Sequence, residues 1–487
     1  MQNEFYDREM RDGVRFSWNH WPCNKVSAAR VVVPVGCMYS PLKEIEGMPL
    51  VNYNPVQCGK CATILNPFCQ VDFRYKTWVC TSCGNNNTFP EHYAQVICEQ
   101  FLPFEMQQDW TTIEYILPPA VGQPAPAKPI FLLMVDTAVD SEELSELKDS
   151  LQQSINFIPE DALIGLITYG RMAFVHELGF QHCPKAYVFK GDKVLTAPEI
   201  KAQLGLGQAS DPLNQGNSDA LRRFLVPVAE CEFALNSILD DLQPDPWPTK
   251  QGNRAGRCTG TALNIAISML ELAGGANRGS RIINLMGGAV TIGPGKIVDE
   301  ELKERIRSHL DIQNNRDNTR HLKPAVKFYT EIASRAQAAG IVLDIFVASV
   351  DQVGVIEMKS CIDMTGGFYI MTSSFGDPVF KESFKKFFEL DENEELKMGF
   401  LAQVKAFTSA DFKVSGAIGQ CAPIKVANNQ FISSTEIGVG QTNQWYLGGI
   451  DRNKSLAFYF DICSTQNLKQ QKKVYLQFQT SYQHVNG

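Results

Sequence analysis

The spacing of apolar residues divides the chain into an interior region and two ends of a different character. From residue 130 to about 390, short continuous apolar runs alternate with stretches in which apolar residues recur every three or four positions. The run IFLLMV at 130–135 is typical of a parallel strand covered on both faces, and Leu144, Leu147 and Leu151 have the spacing of an amphipathic helix. This alternation predicts an α/β region with a doubly wound, mainly parallel sheet.

Residues that are typical of helix ends indicate where helices of this interior region begin and end. Asp140 and Glu143 have the spacing of a capping box, and another predicted helix begins at Pro324 and ends at Gly340. The polar segment 205–219 lacks apolar periodicity and predicts a surface insertion. The predicted strands are 130–135, 162–168, 173–178, 281–286, 341–347 and 368–371, and further predicted helices are 261–272 and 352–364.

Both ends of the chain show the period-two alternation of half-buried strands. Residues 13–18 (GVRFSW) form one such stretch, and 30–39 is a second predicted strand, in which Pro34 indicates an edge or a bulge. Near the other end, 456–462 and 474–478 alternate in the same way. Because isolated strands leave unpaired edges, we expect the two ends to complete one β-sandwich around inserted segments.

The composition excludes several classes of protein. With 487 residues, of which 44% are apolar and 20% charged, the chain is not disordered as a whole. Its 45 basic and 53 acidic residues give a net charge of −8, which argues against a nucleic-acid partner bound through total charge. No apolar run approaches the ~18 residues of a membrane span, and the polar start lacks a signal sequence. We expect a cytoplasmic protein whose membrane contact is peripheral.

Four of the fourteen cysteines form a pattern with chemical meaning. They make two CxxC pairs separated by 18 residues: Cys58, Cys61, Cys80 and Cys83. Two such turns can close a tetrahedron of thiolates around zinc, and four thiolates leave no open position for catalysis. The motif therefore predicts one structural zinc ion, with two redox pairs as the alternative. The nearby Cys69 and His92 are not expected to be ligands.

A candidate cation site follows the first strand of the interior region. Von Willebrand A-type modules bind a divalent cation there through an Asp-x-Ser-x-Ser sequence. In this chain Asp136 is followed by Ala138 and Asp140 in place of both serines, so we expect no metal, with Asp140 capping the next helix. Thr259 and Thr261, at the start of a later helix, are expected to cap that helix.

These patterns also give predicted domain limits. A stretch rich in Pro and Ala predicts a stiff linker, and an acidic break precedes the last region. Together with the family resemblance described below, they give the predicted domains: the N-terminal part of the β-sandwich at 1–50, a zinc finger at 51–102, the linker at 118–129, a von Willebrand A-like trunk at 130–390 and an incomplete C-terminal part of the sandwich at 391–487.

Enzyme signatures are missing from the sequence. It has no Walker A motif, no G-x-G-x-x-G after a strand, no H-E-x-x-H and no G-x-S-x-G, and its seven histidines are dispersed. We therefore expect a chain that is not an enzyme by itself. Two small basic clusters, Arg222–Arg223 and Lys381 with Lys385 and Lys386, are expected to be solvated helix faces.

Stretches distributed over nearly the whole chain carry a family resemblance. They are GVRFSWN (13–19), PVGCMYSPLKE (34–44), YNPVQCGKC (53–61), LNPFC (65–69), ALIGLITYG (162–170), TGTALNIA (259–266), SRIINLMGGAVTIGPGKIV (280–298) and RSHLDI (307–312). Together they resemble the GTPase-activating subunit of the inner COPII vesicle coat. The cargo-binding sister subunit shares the architecture, but its motifs are less similar.

The resemblance implies a fold, partners and a location. The fold is a β-sandwich split around a zinc finger and a trunk. The implied partners are the cargo-binding sister subunit in a heterodimer, a Sar-type small GTPase, outer-coat subunits and a peripheral membrane surface, at endoplasmic reticulum exit sites and on COPII vesicles. In the family, the arginine finger that stimulates GTP hydrolysis lies in late helical and gelsolin-like regions, which this sequence does not contain. Activation is therefore expected of the full-length family member.

Two alternatives stay open at this point. One is the cargo-binding sister subunit, and the other is an unrelated zinc-containing adhesion or interaction module.

Overall fold

The structure is a computed structural model that describes most of the chain. The described residues are 2–118, 127–180, 183–206, 220–274, 278–427, 429–463 and 473–486. Most of the predicted linker at 118–129 and of the predicted insertion at 205–219 lies outside them. Within these ranges, no helix has both the length and the apolar character that crossing a bilayer requires.

The elements that precede the trunk are short. The prediction of a strand over 30–39 is wrong before Gly36, because Val32 is 94% exposed and Pro34 has no amide hydrogen to give to a neighbouring strand. In chain order the elements are α1 (Gln2–Asp12), β1 (Val14–Phe16), α2 (Lys25–Ala28), β2 (Gly36–Tyr39), β3 (Leu50–Val51), β4 (Gln70–Asp72), β5 (Thr77–Val79), β6 (Asn86–Thr88), α3 (Glu91–Ala94) and β7 (Glu114–Tyr115).

The trunk alternates strands with helices. Asp140 caps the first of these helices by accepting a hydrogen bond from the Glu143 amide at 2.9 Å. The trunk elements are β8 (Ile130–Asp136), α4 (Ser141–Ile155), β9 (Leu163–Tyr169), β10 (Met172–His176), β11 (Ala186–Lys190), α5 (Ala197–Gln203), β12 (Val226–Pro227), α6 (Val228–Asp241), α7 (Thr259–Leu272), β13 (Ser280–Met286), α8 (His309–Gln313), α9 (Leu322–Ala338), β14 (Ile341–Ala348), α10 (Val355–Thr365), β15 (Tyr369–Thr372) and α11 (Pro378–Phe387).

The trunk strands form one mainly parallel sheet. Their order is β11-β10-β9-β8-β13-β14-β15, with β12 beside β9. The neighbouring pairs β9–β8, β8–β13, β13–β14 and β14–β15 are parallel. Strands β10, β11 and β12 pair with their neighbours in antiparallel fashion. Strands β8 and β13 are buried at every residue, because helices cover both faces of the sheet. The parallel strands end together beyond Asp136, Tyr169 and Met286, and we call this side of the sheet the carboxyl edge.

The β-sandwich takes strands from both ends of the chain. Its later strands are β16 (Met398–Thr408), β17 (Phe412–Ile418), β18 (Ala422–Pro423), β19 (Gln444–Asp451), β20 (Leu456–Ile462) and β21 (Leu476–His484). One sheet has the order β1-β2-β20-β17, and the other has the order β18-β19-β16-β21. Strand β2 pairs with β20 in antiparallel register, with Cys37 opposite Phe458.

The predicted fold class is confirmed. The chain contains a von Willebrand A-like trunk, a four-cysteine finger and a sandwich split between the chain ends. Contacts group the residues into two compact units. One unit comprises Met1–Ala125, Gln403–Tyr446 and Ile450–Ser481, and the other comprises Pro126–Ala402, Leu447–Gly449 and Tyr482–Gly487.

The core of the sandwich is built around Phe458. Its side chain is fully buried, and its ring centroid lies 5.1 Å from that of Trp445 and 4.8 Å from that of Phe478. Tyr39, on β2, stacks on Phe478 with a centroid separation of 4.3 Å. Aromatic rings from both ends of the chain therefore share one core.

We expect the substitution Phe458→Ala to lower the free energy of unfolding of the sandwich by about 3–5 kcal/mol, because it leaves a cavity among these rings. Tyr459 lies half-buried on the opposite face of the same strand, so Tyr459→Ala is a matched control with a smaller expected loss. Urea denaturation followed by tryptophan fluorescence measures both. Equal losses for the two variants would contradict the assignment of Phe458 to the core.

Candidate metal centre

The two CxxC pairs lie on two turns of similar geometry. In the first turn the Ala62 amide donates to the Cys58 carbonyl at 2.9 Å, and in the second the Gly84 amide donates to the Cys80 carbonyl at 3.0 Å. Ala62 and Gly84 have positive φ angles of 62° and 67°. Each turn therefore reverses the chain just after its second cysteine, which brings the two thiols of each pair together.

The four sulfur atoms are close enough to bind one metal ion. All four Sγ atoms lie within 4.8 Å of one another, with 3.6 Å between Cys58 and Cys83 and 3.6 Å between Cys61 and Cys80. Sulfur atoms around zinc are about 3.8 Å apart when the Zn–S bonds are about 2.3 Å. The cluster therefore fits zinc with little adjustment. A zinc ion held by four sulfurs has no position left for substrate, so its contribution is structural.

Hydrogen bonds around the sulfurs favour the thiolate form of one cysteine. The hydrogen bond from the Cys61 thiol lowers the pKa of Cys80 to about 5, and the same bond, together with burial, raises the pKa of Cys61. The Asn87 side-chain amide donates to Cys58 Sγ at 3.5 Å, and the Thr63 hydroxyl lies 3.1 Å from Cys61 Sγ. A metal ion that binds these sulfurs displaces thiol protons, so its affinity depends on pH.

Two other potential ligands lie near the cluster in sequence but outside the group of four sulfurs. Cys69 is half-buried, and burial raises its pKa to about 11. The His92 ring lies against Tyr93, with 4.8 Å between the ring centroids. In the part of the chain that the structure describes, the metal-ligand cluster contains only the four cysteines of the CxxC pairs.

The finger is attached to the sandwich through β21. The Gln477 side chain accepts a hydrogen bond from the Ile64 amide at 2.8 Å and donates one to the Ile64 carbonyl at 2.9 Å. Gln479 donates to the Ala62 carbonyl at 3.1 Å. Both glutamines bond to the segment that follows the first CxxC pair. Sequence reasoning missed this contact, since glutamines that alternate with apolar residues in a strand have the pattern of a solvated face.

We expect the variant Cys80→Ser to lose zinc, because a tetrahedral site with three thiolates and a hydroxyl binds the metal more weakly. Inductively coupled plasma mass spectrometry of the purified protein should find about one zinc per chain in the wild type and much less in the variant. Cys69→Ser is the matched control and should keep the wild-type zinc content. Zinc loss in Cys69→Ser, or full content in Cys80→Ser, would contradict the ligand assignment.

In the trunk, an ion pair lies where A-type modules bind their cation. Asp136, at the end of β8, is fully buried, and Arg257 donates its Nε hydrogen to it. The guanidinium also donates to the carbonyls of Ala138 at 2.7 Å and Ala289 at 3.2 Å. The Asp136 carboxylate accepts two further hydrogen bonds, from the amides of Ala138 at 2.9 Å and Gly287 at 2.8 Å. A protein cation therefore already neutralises the carboxylate that would ligate a metal.

The two threonines at the start of α7 do not cap that helix. The N-cap position is Cys258, which makes no side-chain capping bond, and the Thr261 hydroxyl donates to a carbonyl outside the helix at 2.7 Å. Thr259 is fully buried within the first turn. The capping prediction is wrong because both hydroxyls lie inside the helix, past the position from which a side chain can reach the free amides.

Sequence reasoning also missed Arg257. A Cβ atom at Gly288 would lie 2.5 Å from Arg257 Nη1, so a larger residue at that position would push the guanidinium out of its present place. Its carboxylate partner is 121 residues away in the chain. Neither the periodicity nor a local motif connects these residues. Arg257 precedes α7 and accepts a hydrogen bond from the Thr291 amide in the segment after β13, and the pairing of β13 with β8 places that segment beside Asp136.

We expect Arg257→Ala to lower the free energy of unfolding of the trunk by about 3–5 kcal/mol, because it leaves the Asp136 carboxylate buried without a cation. Arg171→Ala is the control: its ion pair with Glu300 is partly exposed, so the loss should stay below about 1 kcal/mol. Urea denaturation provides both values. A saturable rise in wild-type stability with MgCl2, at constant ionic strength, would show that a metal ion reaches Asp136 and would contradict this account.

Comparisons with known proteins agree with this geometry. Three family models match successive parts of the chain: the Sec23/Sec24 zinc finger over residues 55–93, the Sec23/Sec24 trunk domain over 126–389 and the Sec23/Sec24 beta-sandwich domain over 399–487. Among solved structures, the human COPII-coat protein Sec24c is similar over 98% of this chain and 59% of its own length, with a TM-score of 0.71 and 17% sequence identity. The likeness shows a common fold, and the present chain spans 59% of the length of that protein.

A von Willebrand factor type A protein from Catenulispora acidiphila also matches. The match covers 72% of this chain and 62% of that one, with 10% identity and a TM-score of 0.37.

Proposed function

The chain belongs to the Sec23/Sec24 family, and we propose that it is an inner-coat component of COPII vesicles in transport from the endoplasmic reticulum to the Golgi. The observation that carries the proposal is the order of the three family regions, a zinc finger, a trunk and a β-sandwich, within one chain. The four-cysteine cluster fits the single structural zinc of that finger. An unrelated adhesion module would not combine these three regions.

Within the family, we propose the GTPase-activating subunit rather than the cargo-binding one. The support is in the sequence, where stretches such as SRIINLMGGAVTIGPGKIV at 280–298 and PVGCMYSPLKE at 34–44 resemble the activating subunit. The second candidate is the cargo-binding sister subunit, which has the same architecture, as the structural similarity to human Sec24c illustrates. At 17% identity that similarity shows the shared fold and does not distinguish between the two subunits.

The proposed role of this chain is docking. It would pair with the cargo-binding sister subunit, bind a Sar-type small GTPase and outer-coat subunits, and lie peripherally on the membrane at endoplasmic reticulum exit sites. We propose that the chain is not an enzyme by itself. The buried Asp136–Arg257 ion pair supports this, because it occupies the strand ends where α/β proteins commonly place reactive groups.

Co-purification with a Sar-type GTPase tests the proposal. We expect this chain, without the sister subunit, to bind the GTPase loaded with a non-hydrolysable GTP analogue and to bind its GDP form at least tenfold more weakly. Size-exclusion chromatography and calorimetry measure the complex.

The control is a cargo-binding family member assayed alone in the same way, which should not bind the GTPase directly. GTP turnover is then compared with and without this chain. Failure to bind the loaded GTPase would overturn the assignment to the activating subunit, and the cargo-binding alternative would then be preferred if sorting peptides bind the chain.

A further inference from the structure

A cavity of about 310 Å³ opens at the carboxyl edge of the trunk sheet. Its lining comes from residues 137–140 after β8, from Arg171 after β9, and from residues between 245 and 256. We call this cavity the edge pocket. Sheets of this type bind ligands outside the carboxyl ends of their strands. The volume is at the lower end for small-molecule sites, so it suits one inserted side chain better than a large cofactor.

The edge pocket has an excess of negative charge. Asp140 and Asp245 line it together with a single cation, Arg171. Arg171 is itself neutralised, since its guanidinium forms an ion pair with Glu300 at 3.0 Å. The backbone amides of Arg171 and Trp247 hold the Asp245 carboxylate at 2.5 and 3.2 Å. Asp140 is exposed, and the helix-capping bond of α4 is the one hydrogen bond to its side chain among the described residues. A ligand can therefore reach its second carboxylate oxygen.

An exposed aromatic ring lines the same pocket. Trp247 is 47% exposed and stands between Pro246 and Pro248. The two prolines restrict the backbone at this position, so a ligand that packs on the ring orders little additional chain. Tryptophan is also the side chain whose ring attracts cations most strongly. A carboxylate beside an indole suits a cation that carries an apolar stem.

Three kinds of cation can be compared with this lining. A divalent metal ion prefers six or more oxygen ligands, and Arg257 already engages the nearby Asp136. A quaternary ammonium ion binds in a cage of aromatic rings, and a single tryptophan lines this pocket. A guanidinium is planar, stacks on an indole and donates up to five hydrogen bonds, for which Asp140 and the Thr249 hydroxyl offer acceptors.

We propose that the edge pocket binds an arginine side chain of a partner polypeptide, with the guanidinium between Trp247 and Asp140. Arginine and tryptophan are the residues that most often carry the binding energy of protein interfaces, which agrees with a polypeptide as the source. The proposal is independent of the subunit assignment above.

Fluorine NMR of the full chain labelled with 5-fluorotryptophan tests the proposal. The chain has six tryptophans, and the Trp247→Phe variant assigns the resonance of Trp247. N-acetyl-arginine amide is the probe, titrated at constant ionic strength to tens of millimolar. We expect a saturable shift of the Trp247 resonance. In Asp140→Asn, which keeps the helix cap and removes one charge, the affinity should fall by about threefold to tenfold.

Asp377→Asn is the control, because Asp377 is also a helix N-cap, at the start of α11, where it accepts from the Val379 amide at 2.8 Å. It should bind the probe as the wild type does. N-acetyl-lysine amide should bind more weakly, and N-acetyl-glutamate should not bind. The proposal is overturned if the Trp247 resonance does not move, if Asp140→Asn binds as tightly as the wild type, or if tetramethylammonium, MgCl2 or the glutamate probe gives an equal saturable shift.

Discussion

The antiparallel pairing of β2 with β20 is the interaction on which the architecture depends. Without β2, strand β20 would present unpaired backbone groups at a sheet edge, and β1 and β2 are too short to form a sheet alone. The backbones of β2 and β20 approach each other closely, since a Cβ atom at Gly36 would lie 2.6 Å from the Phe458 carbonyl oxygen. Because the paired strands are more than 400 residues apart, the finger and the trunk that lie between β2 and β16 are insertions, and this pair can form only after β20 is available.

The two insertions are stabilised in different ways. The trunk buries apolar residues on both faces of its sheet, for example Phe131 on one face and Leu132 on the other. The finger has a much smaller apolar cluster around the buried Trp78, and a module of that size buries too little surface to fold unaided. Zinc bound by the four cysteines would supply the missing stabilisation. The hydrogen bonds from Gln477 and Gln479 then attach the finger to strand β21.

The sequence predicts features that depend on local periodicity, and it fails where distant residues determine the outcome. The run at 130–135, the cap at Asp140 and the grouping of the four cysteines all follow from spacing within one segment. The strand predicted over 30–39 starts only at Gly36, because apolar residues alone do not supply a partner strand. Arg281 lies within a run predicted as an apolar strand, and only the neighbouring strand β14 provides its buried carboxylate partner, Asp344, at 2.6 Å. Such pairs depend on strand order, which periodicity does not encode.

The chain uses two kinds of positive charge for structural purposes, and they respond differently to conditions. Zinc in the finger depends on thiolates, so acid or a chelator can remove it. The guanidinium of Arg257 is covalently part of the chain, and its carboxylate partner is fully buried. A-type modules that bind a metal at this edge lose their ligand contacts when the metal leaves. Here the cation beside Asp136 is part of the chain, so we expect docking at the edge pocket to be governed by Asp140 and Trp247 rather than by metal concentration.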